Sequence, residues 1–243
     1  GPESAIHKST DGGATWRKLE KGLPKVDMGR IGMAMSPADP DVLYAVIEAQ
    51  RDEGGFFRST DRGETWSIIS PDLTTNDKSL QEKTGGLTPD DASPTYAAVL
   101  FAIAESPLEE GVIWAGSNDG LVHVTRNGGE SWTDVTGNIP GLPPLGTVSN
   151  IEPSRFEAGT AYISVDFHQV NNTDPHAYKT TDYGETWTLI SGGIPKSIFS
   201  YVHVIREDPV RPGLLYAGTE NALYVSFNDG GDWTTWPFDR GFY

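Results

Sequence analysis

The residues best suited to chemistry in this sequence sit in short polar stretches that close apolar segments. Asp166 and His168 stand two apart in VDFHQVNNTDPH (165–176), and His176 ends the same stretch. Residues two apart on an extended chain share a side, so Asp166 and His168 offer a base, two metal ligands or a sugar-binding edge. A metal needs three or four donors at set spacing. No third donor stands at such a spacing, so a polar strand end running into a hydrophilic loop is the plainer reading and no metal or cofactor is expected. Similar stretches carry Glu48, Arg51, Asp52 and Glu53 (EAQRDEGG), Asn118 and Asp119 (SNDG), and Glu220 and Asn221 (TEN). Arg30, Tyr96, Tyr201 and His203 lie between the repeated units, the last two on one side by the period of two. The expected ligand-binding set is therefore Asp166, His168, His176, Arg30, Tyr96 and His203. Glycoside hydrolysis uses two carboxyls roughly 5 Å or roughly 6.5–9.5 Å apart; Asp166, Glu220, Asp119 and Glu48 are the candidates, in a chain whose 34 acids guarantee neighbouring pairs by chance.

Composition narrows the partners. The chain has 243 residues and a formal net charge of −16, with acids spread along its length. Phosphate recognition needs clustered Lys and Arg, and only 18 such residues are present, so nucleic acid is not an expected partner. No run approaches the ~18 apolar residues of a spanning helix, and membrane insertion is not expected. With no cysteine, thiolate metal sites and cysteine nucleophiles are excluded.

The elements that must position these residues are announced by repetition. STDGGATW (9–16), STDRGETW (59–66), TRNGGESW (125–132), TTDYGETW (180–187) and SFNDGGDW (226–233) are five copies of one octet. A Ser or Thr with an Asp or Asn two residues on can accept turn N–H groups, and the following Gly supplies a positive φ at no steric cost. The tryptophan is a large apolar plate with one N–H donor, able to wedge against a neighbouring sheet. Asp11, Trp16, Asp61, Trp66, Asn127, Trp132, Asp182, Trp187, Asn228 and Trp233 are thus read as scaffolding; Asn at the acid position argues against a metal. Before each of the last four octets an alternating segment reaches a proline (Pro37, Pro107, Pro153, Pro209), turns, and resumes at an aromatic (Tyr44, Trp114, Tyr162, Tyr216). A third strand leads into the octet and a fourth starts at its tryptophan.

Four antiparallel strands per unit predict an all-β propeller of four-stranded blades. The expected domain is 1–243, with a half-blade at 1–20 and blades at 27–72, 95–137, 146–192 and 200–237. Such an array of about five blades is incomplete, or is closed by oligomerisation, because unpaired strand edges template association. TGGLTPDDASPTY (84–96) is a surface insertion or a lid. In a propeller the octet turns lie on one face, and the loops after second strands share the other with the inter-blade connections.

The octets resemble the BNR/Asp-box motif S-x-D-x-G-x-T-W of sialidases, sortilin-like propellers, xyloglucanase-type glycosidases and photosystem assembly factors. ISPDLTTND, IEPSRFEAGTAY and REDPVRPGLLYAGTE look similar to large bacterial sortilin-like (VPS10-like) secreted proteins often labelled glycosyl hydrolases. The resemblance implies a secreted or periplasmic location. A sialidase is disfavoured, since an arginine triad is missing and GRIG (29–32) has glycine where the R-I-P element of sialidases has proline. An arginine-rich assembly-factor face is disfavoured by the charge. The expectation is a non-catalytic propeller module binding a glycan or polypeptide on its loop face; the alternative is a BNR-type glycoside hydrolase with a carboxylate pair near the axis.

Overall fold

The computed structural model describes residues 4–50, 53–80 and 99–236. Arg51, Asp52, Tyr96 and the stretch 84–96 lie outside the described residues. The fold is an all-β propeller built from four four-stranded antiparallel sheets and one two-stranded sheet. The half-blade pairs β1 (His7–Lys8) with β2 (Arg17–Lys18). The first blade is β3 (Met28–Met35), β4 (Leu43–Ala49), β5 (Gly55–Ser59) and β6 (Ser67–Ile68); the second is β7 (Leu100–Glu105), β8 (Ile113–Ser117), β9 (Val122–Thr125) and β10 (Thr133–Asp134). The third is β11 (Thr147–Pro153), β12 (Ala161–Asp166), β13 (Ala177–Thr180) and β14 (Thr188–Leu189); the fourth is β15 (Val202–Glu207), β16 (Leu215–Thr219), β17 (Leu223–Ser226) and β18 (Thr234–Thr235). Among the described residues no helix is long and apolar enough to cross a membrane.

The register of each first hairpin is set by one small acceptor. Ser36, Ser106 and Ser154 each take two turn N–H groups on Oγ, and Asp208 takes two on Oδ1. Each stands eight residues before the strand-two aromatic, Tyr44, Trp114, Tyr162 or Tyr216. The prolines beside them keep no such constant distance, because Pro153 precedes its acceptor whereas Pro37, Pro107 and Pro209 follow theirs. The acceptor, not the proline, is the fixed point.

The octets are turn clamps. In STDRGETW, Ser59 Oγ accepts from Gly63 N at 2.8 Å, Asp61 Oδ1 accepts from Thr65 N at 2.8 Å, and Asp61 Oδ2 accepts from Thr65 Oγ1 at 2.7 Å. Asp11 and Asp182 repeat this pattern. In the variants the amide serves both ways: Asn127 accepts from Ser131 N and donates to Ser131 Oγ, and Asn228 accepts from Asp232 N and donates to the Asp232 carboxylate. The last four clamps are also tied to the hairpin beside them, since the fourth-position N–H of Arg62, Gly128, Tyr183 and Asp229 donates to the backbone oxygen of Asp41, Gly111, Gly159 and Gly213 respectively. Both turns of a blade therefore lie at one end.

Blades pack through the octet tryptophans onto the blade before. Trp66 is buried among Ile6, Leu19 and Leu23 of the half-blade. Trp132 Nε1 donates to Ile69 O, Trp233 Nε1 donates to Ile190 O, and Trp187 packs edge-on against Trp114 at 5.9 Å. This changes one expectation: the fourth strands begin after the tryptophan and are only two residues long. The Trp66 N–H donates to Lys21 O of the half-blade instead of its own third strand. Tyrosine–carboxylate bonds reinforce the seams, Tyr44 to Glu105 at 2.7 Å, buried, and Tyr162 to Asp229 at 2.8 Å, partly buried.

Candidate functional site on the loop face

Each inner strand is bulged near the end opposite the octets. Register shifts fall between Met28 and Ile31, Leu100 and Ala102, Val148 and Asn150, and Val202 and Val204. A bulge re-aims a side chain and bends its strand. Here the unpaired residues include Phe101, Ser149 and His203.

The bulge at His203 assembles a polar cluster on this face, at the seam of the third and fourth blades. His203 Nε2 lies 3.0 Å from Glu220 Oε2, and His203 Nδ1 lies 3.7 Å from Asp166 Oδ2. Asp166, at the end of β12, also meets His168 Nδ1 at 2.7 Å and accepts from His168 N at 2.9 Å. These bonds fix the 3-10 turn His168–Val170 that follows. Tyr201 completes the group, stacked on His168 at 4.7 Å and edge-on to His203 at 4.9 Å. The His203 and Tyr201 hydrogen bonds hold the Glu220 carboxyl below its ordinary range, and desolvation followed by the Glu220 charge raises the Tyr201 hydroxyl. The Asp166 side chain is only 9% exposed, whereas both imidazoles and Glu220 open to solvent. The arrangement supplies carboxylate acceptors, two titratable rings and one aromatic face at a single crevice. Among the described residues no group of His, Asp and Glu has the geometry to hold a metal ion.

Other sequence candidates lie apart from this cluster. His176 turns inward, with Nδ1 3.2 Å from Tyr178 Oη and its ring edge-on to Phe167, and burial lowers its pKa. Asp174 pairs with Lys196. Buried Asp119 accepts from Thr75 N at 2.8 Å and Thr75 Oγ1 at 2.6 Å, pinning the connection that leaves the first blade. Glu48 accepts from Arg30 N at 3.1 Å across the first-blade bulge, and the Arg30 side chain points to solvent. Two residues beneath the cluster carry no obvious sequence signal. Ser149 and Ser164 share a 2.9 Å hydroxyl bond, and they tie the bulges to Val202 O and His203 O. The signal lies in the repeat: Phe101, Ser149 and His203 each stand five residues before their hairpin acceptor.

Comparison with known proteins agrees with this architecture. Residues 57–67 match the BNR/Asp-box repeat family. The chain is 24% identical to the oligoxyloglucan-reducing end-specific xyloglucanase of Emericella nidulans, over 87% of this chain and 30% of that protein. It is 27% identical to a xyloglucanase of a Paenibacillus species, over 93% of this chain and 22% of that protein. The chain thus spans less than a third of the length of these relatives. The GH74 xyloglucanase of Xanthomonas campestris superposes with a TM-score of 0.63 at 20% identity, covering 97% of this chain and 34% of that one. At that identity the likeness is one of fold. These matches do not carry the sortilin-like closeness expected from the segments outside the octets. In octet and in fold, the chain resembles an Asp-box propeller of the xyloglucanase kind.

Proposed function

We propose that this chain is the glycan-handling part of a glycoside hydrolase of the xyloglucanase type, and that a xyloglucan-like β-glucan lies over the loop face at the seam of the third and fourth blades. The observation that carries this reading is the convergence of Asp166, His168, Tyr201, His203 and Glu220 at one open crevice, in a chain whose relatives over most of its length are xyloglucanases. Neutral sugars are recognised by polar groups around their hydroxyls and by ring faces against their C–H surfaces. Asp166 and Glu220 accept hydroxyl protons, and Tyr201 with His168 offers the flat contact. Because a polysaccharide does not cross a membrane unaided, the proposal includes an extracytoplasmic location.

In hydrolysis this crevice supplies the basic half of the reaction. Glu220 is held ionised by His203 and Tyr201, so it is unsuited to donate a proton to a leaving oxygen. One observation favours binding without cleavage as a second reading. The His203 ring stands between the two carboxylates, where a hydrolytic pair would leave room for a water or the anomeric carbon. Titration with xyloglucan oligosaccharides, followed by chromatography of the products, separates the readings. Asp166→Asn and His203→Ala should each weaken binding about tenfold, as for a lost charged hydrogen bond, with unchanged thermal melts. Reducing ends that accumulate with the native chain and not with Asp166→Asn support hydrolysis; binding without new reducing ends supports the second reading. Wild-type affinity in both variants sinks the site.

A further inference from the structure

The inner strands do not pack evenly around the axis. β7 lies along β11 and β11 along β15, whereas β3 stands away from β7. The gap is a cleft of about 560 Å³ that opens between the first and second blades and reaches the inner strands of the third and fourth, lined by Met33, Met35, Phe101, Ile103, Arg155 and Arg206 among others. Its walls between the first two blades are mainly apolar and open: Met33 is 51%, Met35 60% and Phe101 61% exposed. The chain has three methionines, and two of them face this cleft. Methionine surfaces adapt to varied apolar partners.

Two further features define the occupant. β3 and β7 are edge strands of their sheets, so their outer N–H and C=O groups are unspent by sheet pairing. A Cβ added at Gly32 would meet nothing, and the β3 backbone is therefore open to approach. At the octet end of the cleft lie two guanidinium groups, in a chain of net charge −16. Arg206 is paired with Glu152, while Arg155 makes no ion pair among the described residues. Of the acids that also line the cleft, Glu152 is paired with Arg206, and buried Glu105 accepts from Tyr44 Oη and Gly111 N on Oε1 while its Oε2 has no hydrogen-bond partner.

We propose that the cleft between the first and second blades docks an extended apolar peptide that ends in a free carboxylate. The peptide adds as a strand to the open edge of β3, its alternate side chains rest on Met33, Met35 and Phe101, and Arg155 receives its terminal carboxylate with Arg206 beside it. Strand addition derives affinity from main-chain bonds and specificity from pockets for alternate side chains. A sugar would find too few polar partners on these walls, and a fatty acid would leave the strand edges unused. The site is separate from the loop-face crevice and does not depend on the glycan reading.

The test is fluorescence anisotropy with a labelled eight-residue peptide of alternating valine and serine, ending in leucine with a free C-terminus, against the same peptide amidated. The acid should bind saturably, and amidation should weaken binding about tenfold, as for a lost charged hydrogen bond. Arg155→Gln should bring the acid down to the level of the amide, and Phe101→Asp should abolish both, each with an unchanged thermal melt and unchanged xyloglucan binding. Equal affinity for acid and amide, or indifference to Arg155→Gln, overturns the carboxylate anchor. Dodecanoate displacing the peptide at equal or lower concentration overturns the peptide assignment in favour of a fatty acid.

Discussion

The polar chemistry of an octet converges on a single carboxylate. Asp61 receives Thr65 N, Thr65 Oγ1 and Ser59 Oγ, and the two Thr65 bonds lead in bringing its pKa down to about 2. Unfolded aspartate titrates near pH 4, roughly. Because the folded value is the lower, the stabilisation is complete above the unfolded value and is lost as the pH falls through about 2. Asn127 and Asn228 show what the clamp requires, an acceptor for the backbone N–H and a second atom able to pair with position seven. Asp61→Asn should therefore nearly keep the urea midpoint at pH 7 and flatten its decline between pH 4 and pH 2, roughly the span of the two pKa values. Asp61→Ala should lower the midpoint at pH 7. Should Asn prove as damaging as Ala, the clamp is not what the aspartate does.

At the scale of elements, the fifth-position glycine of each octet does more than supply a positive φ. Positive φ holds at Gly13, Gly63, Gly129, Gly184 and Gly230. In four of them an added Cβ would also meet the residue that directly follows the last strand of the preceding unit: Leu19 for Gly63, Ile69 for Gly129, Val135 for Gly184 and Ile190 for Gly230. At Gly13 a Cβ would touch only its own Trp16. Gly13→Ala should cost about 1–2 kcal/mol of left-handed backbone strain. Gly129→Ala should cost clearly more in the same denaturant series, because its Cβ would collide with the Ile69 backbone oxygen, which cannot rotate away. Equal losses would mean that the inter-blade contact is soft. The octet was legible in the sequence as a turn, since its side-chain acceptors act within eight residues. The use of the glycine as a seat for the neighbouring blade was not, because that partner lies some tens of residues away.

At the scale of the molecule, the tryptophans report how the array is held. Trp66 is 5% exposed and Trp16 is 64% exposed, although both donate Nε1 to the glycine three residues before, Gly63 O and Gly13 O. The difference is the half-blade: Trp66 has Leu19 and Leu23 to press on, and Trp16 has no such wall among the described residues. Trp66→Ala should cost about 3–5 kcal/mol, as for a large core truncation, while Trp16→Ala should stay within about 1 kcal/mol. Matched chemical melts would check this, and a large loss at Trp16 would show that it is covered. The buried seam bond from Tyr44 to Glu105 belongs to the same scale. Tyr44→Phe should lower stability by about 1–3 kcal/mol, because it leaves a buried carboxylate short of a donor; no change would show that water replaces the hydroxyl.

Period, octet and hairpin spacing made the strands, the clamps and the all-β class readable from the sequence, since each is settled by interactions within about ten residues. Strand alternation does not account for the meeting of Tyr201 and His203, since Tyr201 precedes β15 and His203 is its bulged residue. Which polar loop residues meet was decided by the tertiary structure alone. Asp166, His203 and Glu220 come from three different segments, and a one-residue bulge aims the imidazole between the carboxylates. Asp119 and His176 look equally reactive in the sequence, yet inter-segment bonds to Thr75 and packing against Phe167 spend them on structure. The unequal spacing of the inner strands, which opens the apolar cleft, is also a property of blade packing. Blades are nearly alike in sequence pattern, and only the volumes and bonds at each seam determine how closely two of them approach.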